Sequence, residues 1–207
     1  MSKIDDSFEM RGSIGRVEAF SDGVLAIIVT IMVLELHAPQ EEGWQPLLHL
    51  WPVFLAYVLS FAYVAIYWVN HHRLLAHATR VTNRLVWNNL GLLFTLSLVP
   101  FATAYLGEHH FNRDATMLYL GVMLAPAICY IPLQADVRRH GHHTVKAEAY
   151  YRTSMRKGLV SALLYLAGLG LAMWQPWAGV ACAGAVAVLW FLPSGPVDRL
   201  FEACGAG

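Results

Sequence analysis

Residues 16–36 read Arg16-Val17-Glu18-Ala19-Phe20-Ser21-Asp22-Gly23-Val24-Leu25-Ala26-Ile27-Ile28-Val29-Thr30-Ile31-Met32-Val33-Leu34-Glu35-Leu36. From Gly23 to Leu34 the stretch carries no charge and a single hydroxyl, Thr30, whereas Arg16, Ser21 and Asp22 stand at its start. A helix crosses a bilayer with about 20 predominantly apolar residues. Ionisable groups at the margin of such a run are costly and mark functional or specific structural positions. The stretch therefore predicts a membrane helix with a role beyond anchoring.

Similar runs follow it. Apolar spans are expected at 14–36, 47–69, 85–107, 115–134, 158–174 and 177–193, which makes the chain an all-α, polytopic membrane protein with six transmembrane helices. Only Gln175-Pro176 separates the last two, and proline disfavours helix in the residue before it, so a tight turn is expected there. The composition agrees: 57% of the 207 residues are hydrophobic and 14% charged, against about 25% charged in soluble domains.

Lysine and arginine set the expected orientation. With both termini inside (N-in/C-in), thirteen of the 14 lie on the inner side: Lys3, Arg11, Arg16, Arg73, Arg80, Arg84, Arg138, Arg139, Lys146, Arg152, Arg156, Lys157 and Arg199, leaving Arg113 outside. That asymmetry follows the positive-inside rule. The expected organisation is an inner tail at 1–13, a six-helix membrane domain at 14–193 and an inner tail at 194–207. The formal net charge of zero hides this polarity and gives no support to nucleic-acid binding.

Other classes lose ground quickly. The first thirteen residues are polar and the first apolar run has no small-residue cleavage site after it, so no cleavable signal is expected. Cys129, Cys182 and Cys204 lack metal or redox spacing, and no GxxxxGK, GxSxG or HExxH pattern occurs. The polar stretch 135–157 is the longest, too short for a soluble catalytic domain, so no enzyme is expected. Histidines pair at His71-His72, His109-His110 and His140-x-His142-His143, but the roughly four ligands of a zinc site are not evident. Their ordinary pKa near 6.5 leaves a pH response through His71, His72 or His77 open. Trp44, Trp51, Trp174 and Trp177 fall near the outer boundary, as interfacial belts require. Gly168, Gly170 and the small residues of 178–185 offer faces for close helix packing.

As a surface, the first helix carries a stripe. At about 3.6 residues per turn, Ile27, Ile31 and Leu34 share one side, with Gly23 and Thr30 beside it. Such a stripe can be a packing face or the lining of a pore that aliphatic rings gate by dewetting. Periodicity leaves both open.

The motif RxxxFSD, here Arg16, Phe20, Ser21 and Asp22, followed by Gly23-Val24-Leu25-Ala26-Ile27 and Thr30, resembles the hallmark of the transmembrane protein 175 family. So do Trp68-Val69-Asn70-His71-His72, Trp87-Asn88-Asn89 through Phe94, and Pro100 through Thr103. The resemblance covers roughly residues 11–106. It implies a potassium-permeable cation channel of a bacterial inner membrane, assembled as a homotetramer around an axis lined by the first helix. It further implies a hydrophobic constriction at Ile27, further lining at Ile31 and Leu34, and selectivity at Thr30. The sequence has no TVGYG filter, which speaks against an ordinary potassium channel. The permeant ion is K⁺, and no cofactor is implied.

The motif itself is expected to support the pore helix. Asp22 lies about 140° around the helix from Ile27, so it should turn into the subunit. With Ser21 it is expected to meet polar groups such as His71, His77 or Asn88, because an unpaired buried carboxylate costs several kcal/mol. Arg16 falls at the inner mouth or beside a neighbour. A proton-coupled or other secondary transporter and a non-conducting membrane scaffold are the alternatives.

Overall fold

A computed structural model describes residues 3–141 and 143–192, with the side chains of the first helix from Ile14 onward. The expected C-terminal tail, with Cys204, lies outside the described residues, as does His142. Eight helices follow one another among the described residues: α1 Lys3–Leu34, α2 Trp44–His49, α3 Trp51–Leu75, α4 Asn83–Leu96, α5 Val99–Glu108, α6 Arg113–His140, α7 Val145–Ala172 and α8 Pro176–Phe191.

Five segments are long and apolar enough to cross a membrane: Ile14–Leu34, Trp51–Leu75, Asn83–Glu108, Arg113–His140 and Val145–Ala172. The sixth expected span is α8, whose 16 residues reach about 24 Å at 1.5 Å each, less than a ~30 Å hydrocarbon layer.

Three boundaries depart from the sequence expectation. First, α1 begins at Lys3, so most of the expected N-terminal tail continues the helix. Second, the third span is broken into α4 and α5 at Ser97-Leu98. Pro100 stands in the first turn of α5; it has no N–H to donate to Leu96, and its ring crowds that carbonyl, so one continuous helix is disfavoured. Third, α7 starts at Val145, well before the expected 158. Thr144 caps it by accepting from the Ala147 amide at 3.1 Å. Its polar first turns are held on α6, where Gln134 Nε2 donates to the Tyr151 carbonyl at 2.9 Å.

Packing fixes the order of the helices in space. At one end of the bundle, Trp51, Phe111 and Trp177 stack, with ring centroids 5.8 Å apart for the two tryptophans and 4.7 Å for Phe111 and Trp177. This joins the starts of α3 and α8 to the α5–α6 turn. At the other end, Thr82 donates to Asp136 Oδ2 at 2.6 Å, and Lys157 Nζ donates to the Leu192 carbonyl at 2.9 Å. The α7–α8 pair comes close because Gly168 and Gly179 face each other. A Cβ on Gly179 would stand 3.0 Å from Ala172 Cβ and 3.1 Å from the Gly168 carbonyl oxygen. Buried Tyr119 lies between α3 and α6, its hydroxyl 3.1 Å from Ser60 Oγ, which in turn accepts from Thr103 at 2.7 Å.

Candidate functional site

Helix α1 has two faces of opposite character. Ser21, Leu25, Ile28 and Met32, spaced 4, 3 and 4 residues apart, are buried against the rest of the chain. That spacing is the inward stripe of a 3.6-residue helix. Around the other side, Phe20, Gly23, Ile27, Thr30, Ile31 and Leu34 are exposed; Ile27 keeps 58% and Leu34 73% of its surface, against 1% for Met32. The stripe expected from periodicity is thus the face that this chain leaves uncovered. Thr30 Oγ1 donates to the Ile27 carbonyl at 2.9 Å. Its hydroxyl proton is therefore spent within the helix, and its oxygen remains an acceptor on the open face.

The inward face is held by a chain of hydrogen bonds. Ser21 Oγ donates to the Val17 carbonyl at 2.8 Å and accepts from Asn89 Nδ2 at 2.8 Å. Asn89 Oδ1 stands 2.7 Å from His71 Nε2. Because the asparagine amide nitrogen is turned to Ser21, its oxygen faces the imidazole, and Nε2 is the nitrogen that carries the proton. All three residues are buried, so each lost partner would leave a desolvated polar atom. His71 Nδ1 has no hydrogen-bond partner among the described residues.

Two contacts at the edge of this chain complete the seam between α1 and α3. Trp68 Nε1 donates to Asp22 Oδ1 at 3.0 Å. His72 Nδ1 lies 2.7 Å from Glu18 Oε1, and the Trp68 ring stacks on the His72 ring with centroids 6.2 Å apart. Trp68, His71 and His72 of α3 thus each meet one polar residue of α1 or α4. Arg16 is exposed near the N-terminal side of this seam.

The expected polar partners divide accordingly. His71 does reach Ser21, but through Asn89. Asn88 is half-buried and takes no part: α4 presents Leu85, Asn89, Leu92 and Leu96 to the interior, and a residue 100° away misses that face. His77 sits past the end of α3 beside the rings of Tyr150 and Tyr151, with centroids 5.2 and 5.8 Å away, and so turns to α7. Asp22 meets the Trp68 indole in place of either histidine. Asn89, Trp68 and Glu18 were the residues that sequence reasoning did not place. The period Leu85–Leu92–Leu96 passes through Asn89 and could have selected it over Asn88.

Among the described residues no group of three or more His, Cys, Asp or Glu side chains could hold a metal ion. His140 and His143 each stand beside an acid, Asp136 at 3.5 Å and Glu148 at 3.4 Å.

Known proteins resemble this chain. Residues 16–100, which hold α1 from Arg16 onward, α3, α4 and their polar seam, match the family described as Endosomal/lysosomal potassium channel TMEM175. A potassium channel of Chryseobacterium sp. (strain P1-3) is 40% identical over 89% of this chain and 96% of its own length. The chain belongs to the TMEM175 family. A second relative, a potassium channel of Streptomyces collinus, is 37% identical over 88% of this chain and 94% of its own. Among solved structures, the crystal structure of a lysosomal potassium-selective channel TMEM175 homolog from Chamaesiphon minutus superposes with a TM-score of 0.77. It is 34% identical and covers 89% of this chain and 99% of that one. The longer Endosomal/lysosomal proton channel TMEM175 of Bos taurus shares 42% identity over 40% of this chain, a match that spans 19% of the bovine protein. TMEM175 membership makes this a multi-pass membrane protein of a channel family.

Proposed function

We propose that the chain is a potassium-permeable cation channel of a bacterial inner membrane, conducting passively along an axis lined by α1 from four copies. The observation that carries this reading is the two-faced α1. One side is locked into its own subunit through Ser21, Leu25, Ile28 and Met32, and the other is left bare, in a chain that matches potassium channels over nearly their whole length. One copy supplies one such face, so an axis needs a closed cyclic assembly.

In that assembly Ile27 forms the constriction, and Ile31 and Leu34 continue the apolar lining, so that conduction depends on wetting. Thr30 supplies a ring of hydroxyl oxygens between them. Without a carbonyl filter to replace the whole hydration shell, the preference for K⁺ over Na⁺ is modest. Arg16, Phe20, Ser21 and Asp22 position the helix from its inner end. Six crossings with both termini inside, α8 being the shortest, fit the distribution of lysine and arginine.

The test is ion flux in proteoliposomes of the purified protein, comparing K⁺, Na⁺ and a large organic cation, with Ile27→Asn alongside. Expected is protein-dependent K⁺ flux above Na⁺ flux, none of the organic cation, and a higher K⁺ flux in Ile27→Asn because the polar ring wets the constriction. Saturable flux coupled to protons would favour a transporter. No flux from a folded oligomer would favour a scaffold.

A further inference from the structure

At the end of the bundle opposite the Trp51–Phe111–Trp177 stack, residues of α6 and α7 line an opening of about 610 Å³. Four arginines line it, Arg138 and Arg139 from the last turn of α6 and Arg152 and Arg156 from α7. One acid lines it too, and that acid is already engaged. Glu148 accepts from Arg138 Nη2 at 2.8 Å through one oxygen, and its other oxygen lies 3.4 Å from His143 Nδ1. With Arg138 matched by Glu148, Arg139 and Arg152 leave the described lining with a surplus of positive charge.

Directly beneath this charge both helices become apolar and exposed. On α7, Arg152, Arg156, Leu159, Leu163 and Leu166 follow at steps of 4, 3, 4 and 3, so one face of one helix passes from guanidinium to leucine. The three leucines keep more than half of their surface. Ile128 and Ile131 of α6 are likewise exposed on the approach to Arg138. Charge at the headgroup level above a hydrocarbon-facing stripe is the shape of a phospholipid with an anionic head, and basic pockets between membrane helices on the cytoplasmic side bind such heads. The location agrees as well. α1 packs on α3, α4 and α5, and α7 on α6 and α8, so when α1 lines an axis the opening stays on the rim, toward lipid.

We infer that the inner ends of α6 and α7 form a binding site for an anionic membrane phospholipid, its phosphate between Arg139 and Arg152 and an acyl chain along Leu159, Leu163 and Leu166. The rim position rests on the proposed channel geometry, but binding can be measured without any conduction. Bound to both helices, the lipid would tie α6 to α7 at the membrane surface.

The experiment is native mass spectrometry of the purified oligomer titrated with phosphatidylglycerol or with phosphatidylcholine of identical chains. Parent protein should retain phosphatidylglycerol in preference to phosphatidylcholine. A basic residue near an anionic headgroup is worth about fivefold in affinity, so Arg139→Gln with Arg152→Gln should weaken phosphatidylglycerol about 25-fold, and Arg152→Gln alone about fivefold. The single variant carries the test if the double variant loses its oligomer. Arg80→Gln with Arg84→Gln, equally basic positions on the α3–α4 connection and in the first turn of α4, should change nothing. Equal retention of the two lipids, an unchanged preference in the Arg139/Arg152 variants, or an equal loss in the Arg80/Arg84 variant would overturn the site. So would displacement by millimolar glycerol phosphate, which would mean that the chain contributes nothing. Failure of these outcomes in a protein that conducts K⁺ would refute the lipid site and leave the channel standing.

Discussion

Ser21 sits at the point where one side chain decides whether α1 is fixed. Its hydroxyl bridges a carbonyl of its own helix and the Asn89 amide, which in turn holds His71. Ser21→Ala removes the acceptor that Asn89 Nδ2 donates to and leaves that buried N–H without it. The expected cost is about 1–3 kcal/mol, seen as a lower melting temperature of the purified oligomer; a melting temperature equal to the parent's would contradict the bridge. Asp22 differs, because its bond to Trp68 lies near the surface, so Asp22→Asn, which still accepts from the indole, should cost much less. Ile27 belongs to the opposite face, and Ile27→Asn should raise flux with little change in melting temperature, since the side chain touches little of its own subunit. These three outcomes separate the supporting face from the open one residue by residue.

Among the elements, α7 and α8 depend on small residues for their approach. Gly179→Leu would place a side chain where even a Cβ lies 3.0 Å from Ala172. Overpacking of this kind costs about 1–3 kcal/mol, so thermal denaturation of Gly179→Leu should come clearly earlier, whereas Gly184→Leu, with open space around it, should not. The elements also show what sequence could and could not reveal. The apolar runs behind α1, α3 and α6 were legible because hydropathy is a local property. The start of α7 was not, since its first three turns are polar and are held by Thr144 and by Gln134 of another helix. The break at Ser97-Leu98 was written in Pro100, yet a window average passes over a single proline. In the candidate site, the open stripe of α1 followed from period and resemblance together. Asn89 could be chosen over Asn88 from the period of α4, but its pairing with Ser21 and His71 depends on how α4 packs on α1 and α3, which is a tertiary fact.

For the whole molecule, the bare face of α1 has consequences for assembly. Exposed Ile27, Ile31 and Leu34 in one subunit need a common axis to become a lining. Mass measurement of the purified protein should thus give a closed oligomer of four 23.0 kDa chains, and a monomer that conducts would refute the arrangement. In the proposed orientation the basic end, with Arg138, Arg139, Arg152 and Arg156, faces the inner surface, where anionic lipid is available.

We propose that the face of α1 opposite Ser21, Leu25, Ile28 and Met32 lines the conduction path. It is tested most directly by current block with a cationic thiol reagent, applied to single cysteines in a background with Cys129, Cys182 and Cys204 replaced. Ile27→Cys and Leu34→Cys should be modified and lose K⁺ current, while Ile28→Cys and Met32→Cys should be unaffected. Block through Ile28→Cys or Met32→Cys, with Ile27→Cys conducting normally after exposure to the reagent, would contradict it.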